Sequence, residues 1–212
     1  MNRVTFLIDG FNLYHSVKDA ANQLGIRSLK WLDISELCSS YVFLFGKDAV
    51  IQDIYYFSAL AKHLEQFDPG KVQRHEDYIS CLKSTGIKVE LAIFKRKNIQ
   101  CPYCHRNIVR HEEKETDVAL AVKLLELFKL DLCDVVVLVT GDTDIVPAIE
   151  LAKKLYPDKM IGCAFPFKRK NDEISHIVHL QFKISAKQYL NNQFPDAVRL
   201  ADGTNIRKPQ QW

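Results

Sequence analysis

Three aspartates stand where apolar runs end. Asp142 and Asp144 follow "VVVLVTG", and Asp9 follows "VTFLI". A carboxylate is among the side chains most costly to take out of water, so its placement at the end of a buried strand calls for a compensating partner. Each of the three could cap the helix it precedes, the common task of an aspartate at a strand-to-helix turn. A fourth acid changes the balance. In "EEKETDVALAVKLLELF" the apolar stripe is Leu120, Ala121, Leu124, Leu125 and Phe128, and counting back three and four residues from Leu120 and Ala121 reaches Asp117. An aspartate on that stripe, near other carboxylates, is best balanced by a divalent metal. A hard ion such as Mg²⁺ or Mn²⁺ suits an all-oxygen cluster of Asp9, Asp117, Asp142 and Asp144. Such ions polarise phosphoryl oxygens and activate water, so the chemistry expected is phosphate-ester hydrolysis.

Cations lie close to these acids in the sequence. The pentapeptide "FKRKN" occurs at 94–98 and again at 167–171, each time just after an apolar, strand-like run. Lys95, Arg96 and Lys97, with Lys168, Arg169 and Lys170, are therefore expected on loops at the edge that carries the acids, where they could hold a phosphate backbone. Taken singly, either run could be ordinary solvated surface. Phe11, Tyr14, Tyr103, Phe165 and Phe167 are aromatic side chains that could stack on unpaired bases or belong to the core. Cys101 and Cys104 form a CxxC knuckle with His105 and His111 nearby, which is half of a structural Zn²⁺ site. Cys101, Cys104 and His111 would complete it only with a further ligand, such as one shared across a homodimer. The other reading is a surface turn with free thiols.

The elements that must position these residues alternate along the chain. Strands are expected near 4–8, 50–58, 87–94, 135–140, 160–165 and 182–185, and helices near 11–24, 33–45, 70–85, 116–129, 144–156 and 172–179. This is the pattern of an α/β fold. Strands as uniformly apolar as "VVVLV" are buried on both faces, which implies a three-layer sandwich with a mainly parallel central sheet flanked by helices. In such a sheet ligands bind beyond the C-terminal strand ends, where the acids fall. The stretch 95–114 reads as one long irregular loop.

Composition sets the outer limits. With 212 residues, 47% of them hydrophobic, the chain can bury a full core. The expected division is one domain over 1–195 and a polar C-terminal tail over 196–212. A net charge of +3, from 29 basic and 26 acidic residues, is too mild to argue for nucleic acid by itself. No apolar run has the length of a membrane span and no signal-peptide pattern opens the chain, so a cytoplasmic protein with no membrane partner is expected. Cys38, Cys81, Cys133 and Cys163 sit within apolar segments, as reduced thiols do.

Four stretches, "FLIDGFNLY", "FKRKNIQCPYC", "HEEKETDVALAVKLL" and "LVTGDTDIVPAIELAKK", with a weaker echo in "NDEISHIVHLQFKIS", bring the chain close to a known group. It resembles the NYN-domain proteins of the PIN-like nuclease superfamily, particularly the LabA-like group. The resemblance implies a Rossmann-like (PIN-like) fold and a metal-dependent nuclease, usually acting on RNA, single-stranded or structured. It implies catalytic and metal-holding roles for Asp9, Asp117, Asp142 and Asp144, and Asn12 matches the asparagine that accompanies the first acid. Lys114 would neutralise charge beside them. Glu115 departs from the pattern, since related sequences often have glycine there. The alternative is a catalytically weak RNA-binding or interaction module on the same fold. A phosphatase of the haloacid dehalogenase type is rejected, because it needs a second aspartate where this chain has Phe11.

Overall fold

The structure is a computed structural model that describes residues 2–100 and 102–212, with the backbone alone for residue 108 and residues 110–114. Its centre is a sheet of seven strands: β1 (Arg3–Asp9), β2 (Val50–Ala59), β3 (Lys88–Gln100), β4 (Asn107–Lys114), β5 (Val135–Val139), β6 (Met160–Phe165) and β7 (Leu180–Lys183), in the order β4-β3-β2-β1-β5-β6-β7. All pairings are parallel except β3 with β4. The parallel sheet follows from strands such as β5, whose five residues are all buried. Side chains alternate along each strand, so Phe6 and Ile8 enter one core while Leu7 enters the other.

Helices cover both faces, giving the expected three layers. One core is covered by α1 (Gly10–Leu24), α2 (Ile34–Ser39), α3 (Lys71–Ser84) and later α7 (Ala186–Asn191). The other is covered by α4 (Thr116–Lys129), α5 (Val146–Leu155) and α6 (Asp172–Ile177). The chain runs outward from β1 through β2 and β3, then returns to pair β5 on the other side of β1. The reversal point therefore lies between β1 and β5, and a crevice opens there beyond their C-terminal ends.

Three expectations need correction. The stretch 95–114 is no irregular loop: β3 continues to Gln100 and pairs with β4 in unbroken antiparallel register, Lys95 opposite Glu112 and Gln100 opposite Asn107. The sequence hid this arm because its residues are polar, and β3 beyond Phe94 is largely exposed, so no apolar alternation marks it. The helix expected over 33–45 is α2 followed by a separate 3-10 turn, Val42–Phe45. Residues 196–212, expected as a polar tail, contain the ribbon β8 (Ala197–Arg199) and β9 (Asn205–Arg207), and Trp212 packs against Trp31 with ring centres 6.1 Å apart. Cys38, Cys81, Cys133 and Cys163 are buried free thiols, as expected. No helix among the described residues is long and apolar enough to cross a membrane.

Candidate active site at the carboxyl edge of the sheet

Asp9 closes β1, and α1 begins at the next residue. A Cβ on Gly10 would lie 2.4 Å from the Phe57 carbonyl oxygen of β2, so only glycine lets the helix start this close to the sheet. The Asp9 side chain is only 5% exposed. Its Oδ1 accepts a hydrogen bond from the Asn12 backbone N–H at 2.9 Å, and its Oδ2 accepts one from the Thr140 hydroxyl at 2.8 Å. Asp9 is thus a helix cap as well as an acid of the crevice. Burial pushes its pKa up, the Asn12 and Thr140 donors oppose that, and the nearby Asp142 charge pushes it further up.

The turn after β5 is tied to the same point. Thr140 Oγ1 accepts from the Asp142 N–H at 3.1 Å while it donates to Asp9. Asn12 Oδ1 accepts from the Gly141 N–H at 3.1 Å. Asp142 Oδ1 accepts from the Asp144 N–H at 3.2 Å and opens a 3-10 turn, Thr143–Ile145, ahead of α5. Gly141 has no room for a side chain, since a Cβ would lie 1.9 Å from the Arg169 carbonyl oxygen.

Asp117 stands in the first turn of α4. It does not face the core, as its helical position suggested; it is exposed at the mouth of the crevice. In the same turn it is Thr116 that is buried. The crevice walls still desolvate Asp117 enough to raise its pKa, and Asp9, Asp142 and Asp144 raise it further. Asp9, Asp117 and Asp142, with Asn12, His15 and Arg169, line a cleft of about 330 Å³. Asp144 is exposed beside it and acts on Asp117 through its charge. Among the described residues, no three His, Cys, Asp or Glu side chains converge closely enough to share one ion directly. The all-oxygen donors nevertheless fit a hard divalent cation that binds through one or two carboxylates and keeps several waters.

The cations divide more finely than the sequence suggested. The second "FKRKN" is a tightly held loop: Ser16 Oγ donates to the Phe167 carbonyl at 2.9 Å, and Arg169 pairs with Asp19 at 2.6 Å while lining the acidic cleft. Lys170 pairs with Asp172 at 2.5 Å. The first "FKRKN" lies within β3, not on a loop, so its side chains point alternately to opposite faces. Lys95 pairs with Glu115 at 3.1 Å, two residues from Asp117. Arg96 is on the other face, in a recess with Lys62 and His63. Cys101 and the side chains of His111 and Lys114 lie outside the described residues, and Cys104 is an exposed thiol in the turn of the arm. Of the aromatics, Phe165 is core, Phe167 packs at its margin, Tyr103 is 94% exposed, and Phe11 and Tyr14 border an open recess. Sequence reasoning missed Thr140, whose only signal was a hydroxyl ending an otherwise apolar run.

A family model for the NYN domain matches residues 3–199. The chain belongs to the NYN domain family. This membership points to a nuclease of the PIN-like superfamily and accounts for the mostly parallel three-layer fold. No curated protein matches the chain. Among solved structures, a Vibrio parahaemolyticus protein of unknown function, VPA0982, is similar at a TM-score of 0.55 and 17% identity, covering 87% of this chain and 93% of that one. At that identity the likeness concerns the fold alone. The NYN domain match stops at the first strand of the C-terminal ribbon, and Trp212 lies beyond it.

Proposed function

We propose that this NYN domain protein is a metal-dependent endoribonuclease whose active site is the cleft of Asp9, Asp117 and Asp142, with Asp144 beside it. The observation that carries this reading is geometric: Asp9, Asp117 and Asp142 meet with Asn12 and Arg169 around one cleft at the strand ends, where burial and then the three other aspartate charges raise the Asp117 pKa. Acids that repel one another at a strand-end crevice are poised for a cation. Mg²⁺ or Mn²⁺ bound there would supply charge for a phosphoryl oxygen and lower the pKa of a water. The residues do the rest. Asp9, locked by Thr140 and the start of α1, is the fixed acid. Asp117, on the solvent side of the cleft, faces the incoming phosphate. Asn12 commits its Oδ1 to Gly141, so its amide donors are directed to a phosphate oxygen or a water. Arg169, braced by Asp19, and Lys95, beside α4, receive the flanking phosphates. RNA is the substrate that the family resemblance implies.

One observation favours a second reading: the carboxylates do not converge on a single point among the described residues. A domain that binds RNA with little or no turnover would tolerate that. Incubating labelled RNA and DNA strands with Mg²⁺, with Mn²⁺ and with chelator separates the two. Cleavage of RNA in metal, absent in chelator and abolished by Asp142→Asn, is the expected result. Binding without cleavage in any metal would establish the second reading.

A further inference from the structure

A larger recess opens beside the acidic cleft, between α1 and α3, and shares Phe11 and His15 with it. Its volume is about 420 Å³, and its walls are mainly apolar and aromatic, among them Tyr14, Tyr56, Tyr78, Phe94 and Trp212. That size and lining suit a small organic group with a few oriented polar contacts. The polar groups are of two kinds. Inside are the buried Ser58 and the half-buried His75, and desolvation pulls the His75 pKa down to about 4. A neutral imidazole both donates and accepts, as the edge of a heterocyclic base requires. At the rim stand Lys30, Lys71 and Arg74 around a single acid, Asp68. Arg74 holds Asp68 at 2.5 Å and Lys71 approaches it at 4.0 Å. Lys30 lies instead over the rings of Tyr14, at 5.6 Å, and Trp212, at 5.8 Å. Its pKa is lowered by burial and by the charges of Lys18, Lys71 and Arg74, so the rim has positive charge in excess.

We propose that this recess receives one nucleotide of the substrate strand, its base among the aromatic rings and its phosphate at Lys30. That the nucleotide belongs to a substrate strand rests on the nuclease reading; the recess and its lining do not. An apolar metabolite would have no use for the basic rim, and an inorganic anion would have none for the rings. A nucleotide uses both. The wall formed by Phe11 and His15 gives continuity, so a strand held here runs directly to the acids.

The test is an equilibrium titration of the whole chain in chelator, read by tryptophan fluorescence and calorimetry. The probes are adenosine 5′-monophosphate, uridine 5′-monophosphate, adenosine and inorganic phosphate. Saturable binding of a mononucleotide, weaker for adenosine and for phosphate, is expected. Tyr14→Ala and Lys30→Ala should each weaken it roughly tenfold, about 1.4 kcal/mol. Tyr14 is exposed and Lys30 is half-buried at the rim, so circular dichroism checks the fold of both variants; Lys30→Arg should restore binding if Lys30→Ala perturbs it. The mononucleotide should also displace a labelled single-stranded oligonucleotide. Absence of saturable binding, or binding unchanged in both variants, overturns the proposal. So does binding that leaves the oligonucleotide in place, because the recess would then serve a free nucleotide. Asp142→Asn separates the two readings: cleavage by the native chain without nucleotide binding removes the recess and leaves the nuclease, whereas nucleotide binding that survives in Asp142→Asn, with no cleavage by any form, does the reverse.

Discussion

Thr140 is the residue on which the candidate site turns. Its hydroxyl is fully used, donating to Asp9 and accepting from the Asp142 N–H, and it is 2% exposed. Replacing it with valine keeps the shape and removes a donor from a buried carboxylate. Hydrogen bonds to charged groups are worth about 1.5–3 kcal/mol, so Thr140→Val should cost about that much at neutral pH. The sign with pH follows from Asp9. Its folded pKa is raised above the ordinary 3.8, so ionisation opposes folding, and stability falls as pH rises from that value through the folded pKa. Losing Thr140 raises the folded pKa further and widens the window. Denaturant melts of both proteins across pH 3 to 8 should therefore converge at the acid end and diverge above it. A constant offset across the range would mean that Thr140 acts by packing alone. The acids were legible in the sequence because an aspartate after an apolar run is conspicuous. Thr140 was not, because a threonine in a strand is ordinary and only its two partners, one of them 131 residues away, give it a role.

At the scale of elements, the long arm of β3 and β4 shows what sequence patterning misses and why. Alternation marks a strand only when one face is buried, and beyond Phe94 the arm is largely exposed. The central strands and the helices α1, α3, α4, α5 and α6, by contrast, were legible to within a few residues because each has an apolar face, whereas α2 is shorter than expected and α7 went unforeseen. The departure at Glu115 now has a backbone reason. Its φ is +83°, in the left-handed region where glycine alone is unstrained, at the junction between arm and α4. Glu115→Gly removes a strain of about 1–2 kcal/mol. Against that stand the entropy of a freer unfolded chain, about 0.4–1 kcal/mol, and an exposed ion pair to Lys95 worth about 0.2–1 kcal/mol. Thermal melts should find Glu115→Gly neutral or slightly more stable, and Glu115→Val clearly less stable because a β-branched residue suits that conformation worst. A glycine variant destabilised by more than about 1 kcal/mol would rule out backbone strain as the reason for glycine in the related sequences.

For the whole molecule, a net charge of +3 says little, because position decides what the charge does. Treating each "FKRKN" as a unit assigned six cations to the phosphate track. Strand alternation and the cleft lining select fewer: Lys95 and Lys97 share the arm face next to α4, and Arg169 lines the acidic cleft. Arg96 is on the opposite arm face, while Lys168 lies over the Phe167 ring and Lys170 pairs with Asp172. Two triple variants test this at equal charge, since replacing three cations with glutamine takes the formal charge from +3 to 0 either way. The combination Lys95→Gln, Lys97→Gln and Arg169→Gln should weaken oligonucleotide binding in chelator about equally for unrelated sequences. It should also flatten the dependence of log K on log salt by roughly 0.7 for each single-strand phosphate that is no longer neutralised. The combination Arg96→Gln, Lys168→Gln and Lys170→Gln should flatten it by less than half as much. Ion pairs as exposed as Lys95–Glu115 contribute little to stability, so neither variant should lose its fold. Equal slopes in the two variants would show that the strand responds to total charge rather than to a track, and the arm would then have no part in leading nucleic acid to the acids.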